Sequence, residues 1–312
     1  MKALKLGAVA LLVLLAGMVV GGYVYVDRKF TPPANALSVS SVAERVPIRW
    51  LASDGNPHSA LLLPVRIEGV ANVFYMQLDS GAPSTVFYRT SLRSILEKHH
   101  AAFAIDGGGE HVDLGFRIGG LGIRSPQFGL LDYGSKVEFD DPEAANIIGT
   151  LGTDLLEKRI LVLDFMKGEC AFLQDVPESG FSAFQFKKRR VLIPARIGNQ
   201  ERLYLYDSAS SGYELLTGKQ EWERLKTPGG RLTLEKGNSW GRALKVVTAP
   251  ADQALTMSAS TLRLSEVTHV EGTSWMQDLL MRSSGMKGML GNKLFLGHKL
   301  TLDAKNQKFK IE

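Results

Sequence analysis

The sequence predicts an all-β fold of two lobes related by a pseudo-twofold axis, preceded by an apolar helix of membrane-spanning length. Three observations predict it: an acid-bearing loop that occurs twice, a glycine-and-strand ending that occurs twice, and two-residue apolar alternation in the segments that lead into each loop.

The first thirty residues stand apart. Lys2 and Lys5 precede an uncharged run from Leu6 to Val26, which is followed by Asp27, Arg28 and Lys29. At about 1.5 Å per residue, that run crosses a hydrocarbon core of roughly 30 Å, so residues 1–26 read as a signal anchor. Lys2, Lys5 and the α-amino group set the N-terminus inside. The alternative is a cleaved signal ending at the small-x-small site Ala34-Asn35-Ala36. Residues 27–44, rich in Pro, Ser and small side chains, read as a tether.

The remaining chain divides into an N-terminal β-lobe, 45–182, and a C-terminal β-lobe, 183–312. Of the 312 residues, 45% are hydrophobic and 22% charged, an ordinary globular balance. Cys170 is the only cysteine, so no intrachain disulfide forms, and it reads as a small buried hydrophobe. An exported chain without disulfides points to a bacterial envelope: single-pass in the inner membrane, with the folded part in the periplasm. The net charge is +5, and Lys187-Lys188-Arg189-Arg190 is the one dense basic run, read as a solvated connector. No basic motif interleaved with aromatics supports a nucleic-acid partner.

In lobe one, strands are expected at Val46–Leu51, Leu61–Ile67 and Val73–Leu78. The last, with Phe74, Met76 and Leu78 on one face, runs into Asp79-Ser80-Gly81-Ala82. Such a stretch suits a carboxylate that leaves a rigid strand for a tight loop, since Ser80 can hydrogen-bond locally and Gly81 admits another backbone. A helix over Thr90–His100 turns Leu92, Ile95 and Leu96 inward. Asp106-Gly107-Gly108-Gly109 then reads as a hairpin tip, and Ile123–Leu131 as a strand.

After a connector at 174–190, residues 191–212 repeat the approach to the first acid. Pro64 answers Pro194, Arg66-Ile67 answers Arg196-Ile197, and Asp79-Ser80 answers Asp207-Ser208. Thr217-Gly218-Lys219-Gln220 has the form of a capping box, opening a helix with Trp222 and Leu225 inside and a stop at Pro228-Gly229-Gly230. A second box, Ser274-Trp275-Met276-Gln277, opens an apolar helix through Met281. Downstream, GTLGTDLLEKRILVLD (Gly149 to Asp164) aligns without a gap on GMLGNKLFLGHKLTLD (Gly288 to Asp303).

At these motifs, over about residues 46–312, the sequence resembles the pepsin-like aspartic proteases of a bacterial type, and each half also resembles a retroviral protease subunit. The resemblance implies a bilobed acid-protease fold in which Asp79 and Asp207 act jointly as acid and base. Two carboxyl groups within hydrogen-bonding distance share one proton, because both cannot easily ionise. It also implies that Ser80 and Ser208 brace the acid loops, that Gly81 belongs to the tight loop, and that the Ser210 hydroxyl bonds the adjacent acid where Ala82 cannot. Two departures stand out: Ala209 replaces a glycine, and residues 101–118, where the family folds a flap over the cleft, hold no tyrosine.

The implied function is a membrane-anchored envelope aspartic endopeptidase acting on a peptide or protein substrate. The alternative is a pseudoprotease that binds a peptide or envelope protein, and a third reading makes the acids ordinary turn residues in two structural lobes. No cofactor is implied. No His, Cys and acid cluster has metal-ligand spacing. Because both lobes lie in one chain, a monomer is expected.

Overall fold

Strand Phe74–Leu78 buries Phe74, Met76 and Leu78 and leaves Tyr75 and Gln77 half-buried, as its two-residue period requires. It pairs antiparallel with Asn56–Ile67 and parallel with Ile147–Leu151, at the centre of a nine-stranded sheet. Lobe two repeats this arrangement. There, Gln200–Tyr206 pairs antiparallel with Arg190–Ile197 and parallel with Met286–Leu290, within an eight-stranded sheet. These relations come from a computed structural model that describes residues 31–40, 44–53, 55–100, 103–239, 242–271 and 286–312. The folded unit runs from Ala36 to Glu312.

In both lobes, the parallel neighbour is what makes the acid loop. The strand carrying each acid ends beside the end of its parallel partner, Leu78 opposite Leu151 and Tyr206 opposite Leu290. The backbone then crosses that partner's terminal glycine. A Cβ at Gly152 would lie 2.3 Å from the Ser84 carbonyl carbon, and one at Gly291 would lie 2.1 Å from the Ser210 carbonyl oxygen, so the close approach excludes any side chain.

A third, six-stranded sheet joins the lobes. In its middle, Ile160–Asp164 pairs antiparallel with Lys299–Asp303, and Val162 lies opposite Thr301, its own counterpart in the repeat. The pairing is therefore symmetric about that point, which is where the pseudo-twofold relation of the halves passes through the sheet. Leu161, Leu163, Leu300 and Leu302 face the main core shared by both lobes. Ile160 and Val162 face a small second cluster with Ala171. Fully burying a side chain of this size stabilises by about 1.5–3 kcal/mol, so the duplicated final strand contributes substantially to interlobe packing. Cys170 is fully buried on the adjoining strand, Glu169–Leu173, as expected of a small hydrophobe.

Several expectations change. Residues 46–51 do not form one strand: Arg45–Pro47 joins the interlobe sheet, while Arg49–Ser53 joins lobe one. Within the expected tether, Ser38–Val39 pairs with Arg124 and Ile123. Helix α1 (Arg89–Lys98) buries Leu92 and Ile95, with Leu96 partly buried against the core, and ends before His99. Helix α2 (Lys219–Leu225) buries Trp222 and Leu225 but has no capping box. Its N-cap is Gly218, and the Thr217 hydroxyl instead donates to Lys287 O at 2.5 Å, because Thr217 ends a sheet strand. The basic run is a tight hairpin turn rather than a solvated connector at Arg189, which is only 5% exposed. The apolar run Leu6–Val26 and the helix expected from Ser274 through Met281 lie outside the described residues. Among those described, no helix is long and apolar enough to cross a membrane.

Candidate active site

The two acid loops meet. Each leaves its strand under the same constraint: Asp79 N donates to Leu151 O at 3.0 Å, and Asp207 N donates to Leu290 O at 2.9 Å. Ser80 and Ser208 then exchange bonds across the junction. Ser80 N donates to Ser208 Oγ and Ser208 N to Ser80 Oγ, both at 2.9 Å. Each hydroxyl in turn donates at 2.8 Å to a carbonyl of the opposite lobe, Ser80 to Tyr206 and Ser208 to Leu78. Both serines are essentially inaccessible to water. A buried, fully paired network of this kind fixes one relative position of the loops.

This brace brings the carboxyl groups of Asp79 and Asp207 together, close enough for each to shift the other's titration. Gly81 lies against both, for a Cβ there would sit 2.8 Å from Asp207 Oδ1 and 3.2 Å from Asp79 Oδ1. Asp79 Oδ1 accepts the Gly81 and Ala82 N–H groups, both at 2.9 Å. Asp207 Oδ1 accepts Ala209 N–H at 3.1 Å, and its Oδ2 accepts the Ser210 hydroxyl at 2.8 Å. Burial pushes the Asp79 carboxyl well above the usual carboxylate range, and the Asp207 charge pushes it further, against the pull of the two backbone donors. Asp207 is also raised by burial, with the Ser210 hydroxyl the leading opposing influence. Such a pair holds one proton between two oxygens.

All six residues singled out in the sequence therefore lie together. Ala209 sits in a short 3-10 turn, Ser208–Ser210, with an ordinary negative φ, so the replacement of glycine forces no left-handed backbone.

The fold is similar to that of a solved aspartic proteinase. This is the crystal structure of the aspartic proteinase from Irpex lacteus, 11% identical, with 86% of this chain and 97% of that chain covered at a TM-score of 0.48. No protein-family model and no curated protein sequence matches the chain.

Beside the Asp79 loop lies a cavity of about 540 Å³, lined by Ala82, Pro83, Ser84, Val86, Leu131, Asp132 and Tyr133. Two hairpins occur at related places in the repeat. In lobe one, Ala104–Ile105 pairs with His111–Ile118 over two residue pairs, and Arg89 clasps its tip by donating to Gly109 O while paired with Asp132. In lobe two, Thr233–Ser239 pairs with Arg242–Met257 over seven. The Tyr213 hydroxyl, just past the second acid loop, donates to Glu235 of this longer hairpin at 3.2 Å. Residues 237–241 also spell G-x-S-x-G. Ser239 ends an antiparallel strand and pairs with Arg242, whereas the nucleophile elbow of a serine hydrolase joins a strand to a helix.

Sequence reasoning also missed the residues that fix the acid loops from behind. Thr153 and Asn292 occupy equivalent places one residue past Gly152 and Gly291, so the gapless repeat does point to them. Arg189 had no comparable signal.

Proposed function

We propose that this chain is an aspartic-type endopeptidase of the pepsin-like, bilobed kind, in which Asp79 and Asp207 jointly activate water for peptide-bond hydrolysis. The observation that carries the reading is the pair of buried carboxyl groups brought to either side of Gly81 and locked there by the reciprocal Ser80 and Ser208 bonds. In the working state, one carboxyl is protonated and the other ionised. The carboxylate takes a proton from water as the water oxygen attacks the peptide carbonyl carbon, and the protonated acid donates to the carbonyl oxygen. The acid that took the water proton then passes it to the amide nitrogen as the C–N bond breaks. The other acid, now ionised, takes a proton from a hydroxyl of the tetrahedral diol as that becomes the product carboxyl, so the pair again holds one proton, in its starting place.

We also propose that the Leu6–Val26 run anchors the chain in a bacterial inner membrane, with the folded unit on the periplasmic side. Retention in the membrane pellet after a high-salt wash supports the anchor. Release of a soluble form beginning at Leu37 establishes cleavage after Ala36 instead.

The peptidase test uses the detergent-solubilised full chain and a broad peptide library at acidic pH. Wild type should cleave, and both Asp79→Asn and Asp207→Asn should abolish cleavage. A second reading, a pseudoprotease that binds without cutting, draws on the lobe-one hairpin. That hairpin is short, lacks tyrosine and is held to its own lobe by Arg89. It takes over if wild type and both variants bind a hydroxyl-bearing transition-state mimic and none of them cleaves.

A further inference from the structure

The two acid loops are secured differently at equivalent places in the repeat. In lobe two, the buried Asn292 donates from Nδ2 to Ser208 O at 3.1 Å and to Ser211 Oγ at 2.8 Å, while its Oδ1 accepts the Tyr206 hydroxyl at 2.6 Å. Lobe one has Thr153 there. Its hydroxyl contacts Ala82 O at 3.0 Å and Arg189 O at 2.6 Å.

Arg189 comes from the connector hairpin, whose closing pair is Lys187 and Arg190. Lys188 and Arg189 take φ of 50° and 57°, a left-handed turn that glycine and asparagine adopt more readily than lysine or arginine. The turn delivers a buried guanidinium to the back of the first acid loop. Arg189 Nη1 donates to Pro83 O at 3.2 Å and lies 3.4 Å from Ser84 Oγ, while Nε donates to Glu157 Oε1 at 2.7 Å. Glu157 thus compensates the buried charge, and Asp154, whose carboxyl burial raises, lies near enough for the guanidinium to oppose that rise in part. Pro83 follows Ala82, whose N–H donates to Asp79 Oδ1.

We propose that Arg189 is a positioning residue. By holding Pro83 and Ser84 from the connector, it sets the direction of the Gly81 and Ala82 N–H groups and, through them, the Asp79 carboxyl. This role rests on the aspartic-peptidase reading, and it couples the seating of the connector to the geometry of the acid pair. A lysine at 189 keeps the charge but cannot reproduce the planar fork that reaches Glu157 and Pro83 together.

The test compares full-length wild type with Arg189→Lys and Arg189→Asn in detergent. Asparagine suits the left-handed turn, so thermal unfolding of Arg189→Asn reports whether the fold persists. Both variants should lose about 10- to 100-fold in kcat, the scale of a sub-ångström to 1 Å misplacement, with KM within about twofold. The Asp79 carboxyl titration, followed by carbon-13 NMR, should move upward in both variants as its backbone donors loosen. Full kcat and an unmoved titration in both variants overturn the proposal, as does recovery of full activity by lysine, which would make the charge alone sufficient. Wild type that cleaves nothing defeats the peptidase reading separately, and the carboxyl titration still decides whether Arg189 positions the loop.

Discussion

Replacing Ser80 by alanine removes the acceptor of the Ser208 N–H and the donor to the Tyr206 carbonyl, at 2.9 and 2.8 Å. Ser80 is 1% exposed and Ser208 is fully buried, so water cannot fill either vacancy without opening the junction. Each orphaned buried group costs about 1–3 kcal/mol, which predicts a loss of about 2–6 kcal/mol. Set against the roughly 5–15 kcal/mol that holds a typical domain folded, this is a large share. Ser208→Ala should cost the same within about 1 kcal/mol, because it orphans the equivalent groups, Ser80 N–H and the Leu78 carbonyl. Ser53→Ala is the control. Its hydroxyl bonds Ser59 at 2.7 Å on the surface, and its loss should cost under about 0.5 kcal/mol. Urea unfolding followed by tryptophan fluorescence measures all three, with Trp50 in lobe one and Trp222 in lobe two as reporters. If Ser80→Ala behaves like Ser53→Ala, or the two junction serines differ by several kcal/mol, the reciprocal brace does not hold the lobes as argued.

Two further outcomes follow from the acid pair. Because burial and the Asp207 charge raise the Asp79 carboxyl, its stability contribution is fully present below the unfolded value of about 4 and is lost as pH rises through the folded value, by up to about 1.4 kcal/mol per pH unit. The urea midpoint of Asp79→Asn should therefore gain on wild type as pH rises across that window, and a constant difference from pH 4 to 8 contradicts the raised carboxyl. Ala82→Ser places a hydroxyl where Ser210 has one in lobe two. The acidic limb of the pH–rate profile should move to lower pH with KM within about twofold, and an unmoved limb means that the hydroxyl does not reach Asp79.

The repeat made the acids legible, because two alignments in the same order, the downstream one without a gap, place Asp79 and Asp207 in equivalent loops when the halves share a fold. It also placed Thr153 opposite Asn292. What it could not convey is what a local pattern becomes once tertiary partners compete for it. Thr217 has the spacing of a cap, but a sheet strand takes its backbone and Lys287 takes its hydroxyl. Lys187 to Arg190 has the composition of a solvated connector, yet a left-handed turn sends Arg189 inward to Glu157 and Pro83. Residues 46–51 have one strand period but serve two sheets, a division set by the lobes on either side.

The duplication has diverged where it matters for chemistry. Asp207 accepts a hydroxyl, from Ser210, while Asp79 faces Ala82 and accepts backbone N–H groups. The Ser210 hydroxyl adds to the Ala209 N–H at Asp207 and favours its ionised form, whereas Asp79 has two backbone N–H donors and no hydroxyl. The braces diverge in the same sense: lobe two secures its loop from within through Asn292, and lobe one borrows Arg189 from the connector. Two loops that began as copies thus offer unequal environments.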